Sequence, residues 1–316
     1  MWKLILKRVG VGFVTALIVS VLVFMGTELL PGDVAQAVLG RSATPEALAA
    51  LRETMGLNEP AYLRYFKWLF GFLTGDMGVS LANGTQINDL VVQRLGNTLI
   101  LAGVTALVAI PLAVILGLMA ATFPGSLLDN AISFMSLTLV STPDFLLASI
   151  LVIIFAVGLG WFPSVSYVTE FRGVGHFFQT MTLPVMTLTA VITAQMTRMV
   201  RATVLNILAS PYVEMAMLKG VSRTKIIFLH ALVNTIGPIA NVVALNLAYL
   251  ISGVVIVETV FAYPGLAKLI VDGVATRDFA VVQSCALIFC MGYIIFMLIA
   301  DILAIISNPR LRRAGH

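Results

Sequence analysis

Long apolar runs constrain this chain more than any other feature. The first, residues 9–27, carries no charge and follows Lys3, Lys7 and Arg8. It is too long for the apolar region of a secretory signal, and no small-x-small cleavage site follows, so it reads as a membrane span. Further spans are expected within 95–128, within 131–157 with an interruption at Asp144, and within 180–204, 234–257 and 280–306. Hydrocarbon offers no partner for backbone N–H and C=O groups, so a run of this kind crosses as a helix. The expected class is therefore all-α, a polytopic bundle of six transmembrane helices. Apolar residues make up 59% of the chain and charged residues 11%, against about 45–50% and about 25% in soluble domains. The net charge of +4 is small and its basic residues are clustered, which gives no reason to expect nucleic acid as a partner.

Six spans place both termini on one side, and the distribution of basic residues chooses the side. With a cytoplasmic N-terminus, the inner segments hold Lys3, Lys7, Arg8, Arg198, Arg201, Lys219, Arg223, Lys225, Arg310, Arg312 and Arg313, against only Asp129 and Glu214. The outer segments hold eight basic residues and nine acidic ones. The loop 122–130 has no basic residue, so its side rests on counting spans alone. The expected organisation is a first span in 1–30, an extracytoplasmic helical segment in 31–94, a five-helix core in 95–307 with a cytoplasmic loop at 210–226, and a tail in 308–316.

Residues 31–94 are too many for a simple connection. Thr44-Pro45-Glu46 reads as a helix start, with Leu48, Leu51 and Met55 on one face and Gly56 as its stop. A second amphipathic helix begins near Pro60, its apolar stripe formed by Leu63, Phe66, Leu69, Phe70 and Leu73, with Tyr65 and Trp68 beside it. Such helices lie at the membrane surface or cap the outer mouth of the bundle. For most of these residues a packed cap without ligand contact is the expected role.

The longest polar interruption of the second half is 210–238. Ser210 and Pro211 suit the start of a helix, Glu214 suits its positive N-terminal end, and Gly220 suits a left-handed stop. Ser222 can cap a second helix, and Lys219, Arg223 and Lys225 surround the turn. An ordinary basic cytoplasmic loop would share this composition. Glu214-Met215-Ala216 followed by Gly220 resembles the EAA-x3-G loop of ABC importer permeases, a helix–turn–helix that sits in a groove of the ATP-hydrolysing subunit.

The resemblance widens at both ends. Leu30-Pro31-Gly32-Asp33, Thr44-Pro45-Glu46, Leu51-Arg52, 56–60 (GLNEP), Tyr65, Trp68 and Gly75-Asp76 with Gly78 and Ser80 are similar to the B-type permease subunit of dipeptide, oligopeptide and nickel ABC importers. So are Glu258, Phe261, Pro264-Gly265-Leu266, Arg277-Asp278-Phe279, Val282-Gln283 and Asn308-Pro309-Arg310. Asn58 and Asn308 stand where the family pattern has Asp, the EAA element reads EMA, and the loop after the second span lacks its usual basic residues. The resemblance implies a bacterial inner-membrane protein with both termini cytoplasmic. It implies a second permease subunit, two ATP-binding subunits and an extracytoplasmic solute-binding protein. ATP and Mg would belong to the partner subunits, and this chain would hold no cofactor. Coupling to the ATPases would fall to Glu214, Ala216, Lys219, Gly220 and Arg223. Peptides are the favoured substrate, with nickel chelates and opine-like solutes as alternatives.

Other chemistry finds no support. There is no Gly-Lys dipeptide for a phosphate loop, no HExxH and no G-x-S-x-G. Cys285 and Cys290 sit in an apolar run and read as packing, and the three histidines are dispersed. Ionisable and amide side chains inside spans are the default pathway or gate candidates. These are Asp144 after Pro143, Asn241, Asn246, and Glu258, which is flanked by Phe261 and Tyr263 in what fits an interfacial aromatic belt. Asp144 has a structural alternative, capping a helix or pairing with Arg198 or Arg201. Those two arginines otherwise reach for lipid phosphates. The rival function is a self-sufficient secondary transporter or channel, which needs internal repeats or intramembrane charge pairs. No clear repeat is present.

Overall fold

The computed structural model describes residues 2–29, 34–40, 44–166, 173–220 and 232–307. Helices account for its architecture, and the described residues include one isolated antiparallel bridge, between Val79 and Gln86. The first span is α1 (Trp2–Glu28). The outer segment follows as α2 (Val34–Leu39), α3 (Pro45–Thr54) and α4 (Ala61–Thr74). Thr44 caps α3 as its sequence requires, its hydroxyl accepting from the N–H of Ala47 at 3.2 Å.

Helix α4 is oriented by its polar aromatics. Tyr65 meets Phe24 of α1 edge-on, with ring centroids 5.4 Å apart, and shares a 2.9 Å hydrogen bond with Ser20. Trp68 lies 6.3 Å from the same Phe24. Leu63, Phe66, Phe70 and Leu73 are exposed. The stripe thus points away from the rest of the chain, and the pair beside it makes the contact. A phenol needs a polar partner at this depth, whereas an aliphatic face is satisfied by lipid.

The second span is α5 (Ile87–Thr122), which starts eight residues before the expected boundary at 95. Its 36 residues make about 54 Å of helix, more than hydrocarbon needs, so its first turns project outward. The expected third span is broken. α6 (Leu127–Ser141) and α7 (Asp144–Leu151), which continues as a π-helix over Val152–Gly158, meet at 103°. Thr142 is extended (φ −87°, ψ 125°), the conformation that a following proline imposes. Then come α8 (Val174–Leu208), α9 (Pro211–Leu218), α10 (Leu232–Val260), α11 (Leu266–Thr276) and α12 (Phe279–Ser307). Helices α1, α5, α8 and α12 are each long and apolar enough to cross a membrane, and the α6/α7 pair and the α10 helix, itself bent by 42°, bring the number to six.

Helix α8 is the most buried of the long spans. It packs on α5, α6 and α10, while α12 packs on α10 and α1. Ala113, Met196, Val200, Val204 and Val242 fill one cluster among α5, α8 and α10. Ile87, Val91, Leu266, Leu269, Val281 and Cys285 fill another among α5, α11 and α12. The buried thiol is therefore a packing group. Arg8 and Asp301 pair at 3.0 Å, and Gln283 donates to the Thr27 hydroxyl at 2.6 Å. The two contacts set α1 and α12 antiparallel, with the start of α1 and the end of α12 at one end of the bundle.

Candidate functional site

Ser210 joins α8 to α9. Its hydroxyl donates to the carbonyl of Ile207, and its own carbonyl accepts from the N–H of Val213 at 3.0 Å. Val213 is fully buried and seats the short helix on the body. Met215, Leu218 and Lys219 are exposed, which puts two large apolar side chains and a cation on the outward side. Gly220 follows with φ +77° and is exposed. A left-handed residue there ends α9 and redirects the chain. Glu214 and Ala216 lie on this helix. Arg223, Ser222, Lys225 and the second helix expected after the turn lie outside the described residues.

At the same end, α6 is tied to α8. Arg201 forks onto Asp129, Nε to Oδ1 at 2.6 Å and Nη2 to Oδ2 at 2.8 Å. The N–H of Gly125 adds a third bond to Asp129 at 2.9 Å, and Ser126 caps α6 by accepting from the N–H of Asp129. Asp129 is 2% exposed. Arg201 therefore pairs with Asp129 and not with Asp144. The pair also fixes loop 122–130 at the end that carries α9, a placement that span counting alone had supplied.

The opposite end holds a second polar joint. Glu258, near the end of α10, is fully buried. Its carboxylate accepts from the hydroxyl of Thr98 on α5 at 2.6 Å and from the N–H of Lys268 in the first turn of α11 at 3.0 Å. Thr98 in turn accepts from the N–H of Leu266 at 2.8 Å. One acid thus clamps three helices and complements the positive end of α11. Gly265 is required here: a Cβ at that position would stand 2.0 Å from Glu258 Oε1. Phe261 and Tyr263 are buried too, so they form no interfacial belt. The turn after α10, with Ala262 at φ +48°, folds both rings inward, and the Tyr263 hydroxyl donates to the carbonyl of Asn97 at 2.8 Å. Burial, with the Glu258 carboxylate nearby, pushes the Tyr263 phenol up from its ordinary range.

Asp278 makes a similar joint. It caps α12, accepts from the Ser80 hydroxyl, and lies 3.3 Å from the N–H of Ala82. Among the remaining candidates, Asp144 opens α7 at the break and is half-buried. Asn241 is half-buried on α10. Asn246 is buried, its amide donating to the carbonyl of Val242 at 2.8 Å and meeting the sulfur of Met199 at 3.6 Å. Its Oδ1 has no partner among the described residues. Asp144 thus lies on α7, and Asn241 and Asn246 on α10, which packs against α7.

Comparison with known proteins decides the family. Residues 113–313 match the family described as binding-protein-dependent transport system inner membrane component, and residues 1–102 match the N-terminal domain of the same systems. The chain belongs to this permease family. It is 33% identical, over 98% of both chains, to a Sinorhizobium fredii protein named "Probable peptide ABC transporter permease protein". It is 32% identical, over 99% of both chains, to the glutathione transport system permease protein of Salmonella paratyphi A. The chain is thus a multi-pass inner-membrane permease subunit of an ABC importer, as its motifs suggested.

Arg8–Asp301 joins the two matched segments of the permease at one end of the bundle, and a larger set of contacts joins them at the other. Ser80–Asp278, Thr98–Glu258 and Thr27–Gln283 each join a residue of the N-terminal segment to one of the other. Sequence reading found Glu258, Asp278 and Gln283 within motifs but missed Thr98, Ser80 and Thr27 as their respective partners. Ser80 and Asp278 are 198 positions apart. The available signal was that each partner stands inside its own family motif or at a span end.

Proposed function

We propose that this chain is one half of a peptide-importing permease pair, and that α9 with the turn at Gly220 is the element through which ATPase subunits drive it. A second permease subunit completes the pathway, two ATP-binding subunits supply ATP and Mg chemistry, and an extracytoplasmic binding protein delivers the solute. Both termini and α9 face the cytoplasm of a bacterium. The peptide assignment draws on the full-length likeness to relatives named for peptide and glutathione transport. The coupling assignment draws on one observation. A short helix rooted by buried Val213 presents Met215, Leu218 and Lys219 outward and stops at a left-handed Gly220. Exposed apolar side chains at the end of a bundle that carries its basic residues are suited to a protein partner.

Gly220→Val tests the coupling role. Among the described residues nothing lies within 4 Å of a Cβ at Gly220, so that carbon meets no clash there. Its cost is conformational, about 1–3 kcal/mol for a β-branched residue at positive φ, and it falls on the turn. The assembled complex should keep this subunit in the membrane at normal amount and lose most peptide uptake and substrate-stimulated ATP hydrolysis. Normal uptake by the variant complex would refute the coupling role of this stretch.

A further inference from the structure

Between α8 and the end of α6 lies a cavity of about 490 Å³ lined by Val140, Gln195, Arg198, Met199, Arg201 and Ala202. Three neighbours occupy the other sides of α8. Thr197 bonds the carbonyl of Ala113 on α5, Arg201 holds Asp129 on α6, and Met199 meets Asn246 on α10. Arg198 stands about 100° around the helix from both Thr197 and Met199, so it faces neither α5 nor α10. It is exposed, and it makes no ion pair or hydrogen bond with a described residue. The charge of Arg201 is already matched by Asp129. The cavity therefore holds one unmatched guanidinium beside one amide. It lies along the most buried span between the sides that meet α6 and α10, beside the ion pair at the α9 end.

We propose that Arg198, with Gln195, is a carboxylate station in the translocation pathway, which receives the C-terminal carboxylate of a peptide in transit. This rests on the peptide-import reading above. A guanidinium fork matches a carboxylate with two parallel hydrogen bonds. A carboxylate that moves through a low-dielectric passage loses hydration, and a fixed cation offsets that cost where it is met. Every unmodified linear peptide carries this group at its end, so one arginine serves peptides of any side-chain composition. Lipid phosphate is the other anion of matching chemistry.

The test is uptake of trialanine and of trialanine amide by the complete complex in vesicles, with wild-type, Arg198→Gln and Arg198→Lys subunits. Vesicles are made with and without phosphatidylglycerol. Loss of one charge-assisted contact amounts to about a tenfold effect. Arg198→Gln should lower the acid-to-amide uptake ratio about tenfold relative to wild type, in both lipids, and Arg198→Lys should recover most of it. Amide uptake by the same variant checks that the complex is folded and assembled. An unchanged acid-to-amide ratio overturns the proposal. So does a defect common to both peptides that appears only with phosphatidylglycerol, which assigns Arg198 to lipid phosphate. A wild-type complex that hydrolyses ATP on binding-protein contact but imports neither peptide overturns the peptide reading itself, a result distinct from either of these.

Discussion

The joint around Glu258 predicts a strong, non-additive coupling between two positions seven residues apart. In Gly265→Ala the new methyl would overlap the carboxylate, approaching Oε1 to 2.0 Å, Cδ to 2.1 Å and Oε2 to 2.3 Å. Backbone on one side and helix on the other leave the carboxylate to move. It then surrenders its bonds to the Thr98 hydroxyl and the Lys268 N–H. At about 1–1.5 kcal/mol per bond, the loss is about 2–3 kcal/mol. Glu258→Ala removes the same acceptor and leaves a cavity and two buried donors, at about 3–5 kcal/mol. In the double variant the methyl added at position 265 enters space already vacated, so its added cost should be near zero. The predicted coupling energy is thus about 2–3 kcal/mol, near the top of the usual range for touching residues. Titration of the four purified proteins from mild detergent into dodecyl sulfate, followed by tryptophan fluorescence, measures the cycle. Additivity within about 0.5 kcal/mol would refute the close contact between the two positions and the coupling drawn from it.

Two further outcomes concern the Arg201 ion pair and the topology. Arg201→Met leaves Asp129 buried and unpaired and should cost about 2–3 kcal/mol after allowance for the partial exposure of Arg201, while Asp129→Leu/Arg201→Met should recover most of it; the same titration reads both. Cysteines placed at the exposed positions Lys219 and Glu46 should react with an impermeant maleimide from the cytoplasmic and the outer side respectively, and labelling of position 219 in intact cells would reverse the proposed topology.

Charge-free length alone decides a span, so α1, α5, α8 and α12 were legible in the sequence. The Thr44 cap was legible for an equally local reason, since donor, acceptor and proline lie within four residues. The break at Pro143 was visible as a missing backbone donor, but its 103° angle was not, because an angle depends on what the two halves pack against. Arg201 was visible as a charge near a span end, and its partner was not. Asp129 lies 72 positions away, in the first turn of α6 beside a connection whose charge gave no hint of its side. The inward turn of Phe261 and Tyr263 was hidden for a related reason. Aromatic residues at a span end suit either an interface or a core, and only the positive φ of Ala262 decides between them.

The bend between α6 and α7 has a consequence for how this span is held in lipid. A helix end leaves several N–H or C=O groups without intrahelical partners, and this break sets two such ends side by side within one apolar stretch. Lipid cannot satisfy them, so that side must be covered by protein or by confined water. Part of that cover comes from the chain itself, since α6 and α7 both pack on α8 and α7 also packs on α10. A single proline thus makes the packing of α8 and α10 a condition for holding this span in lipid.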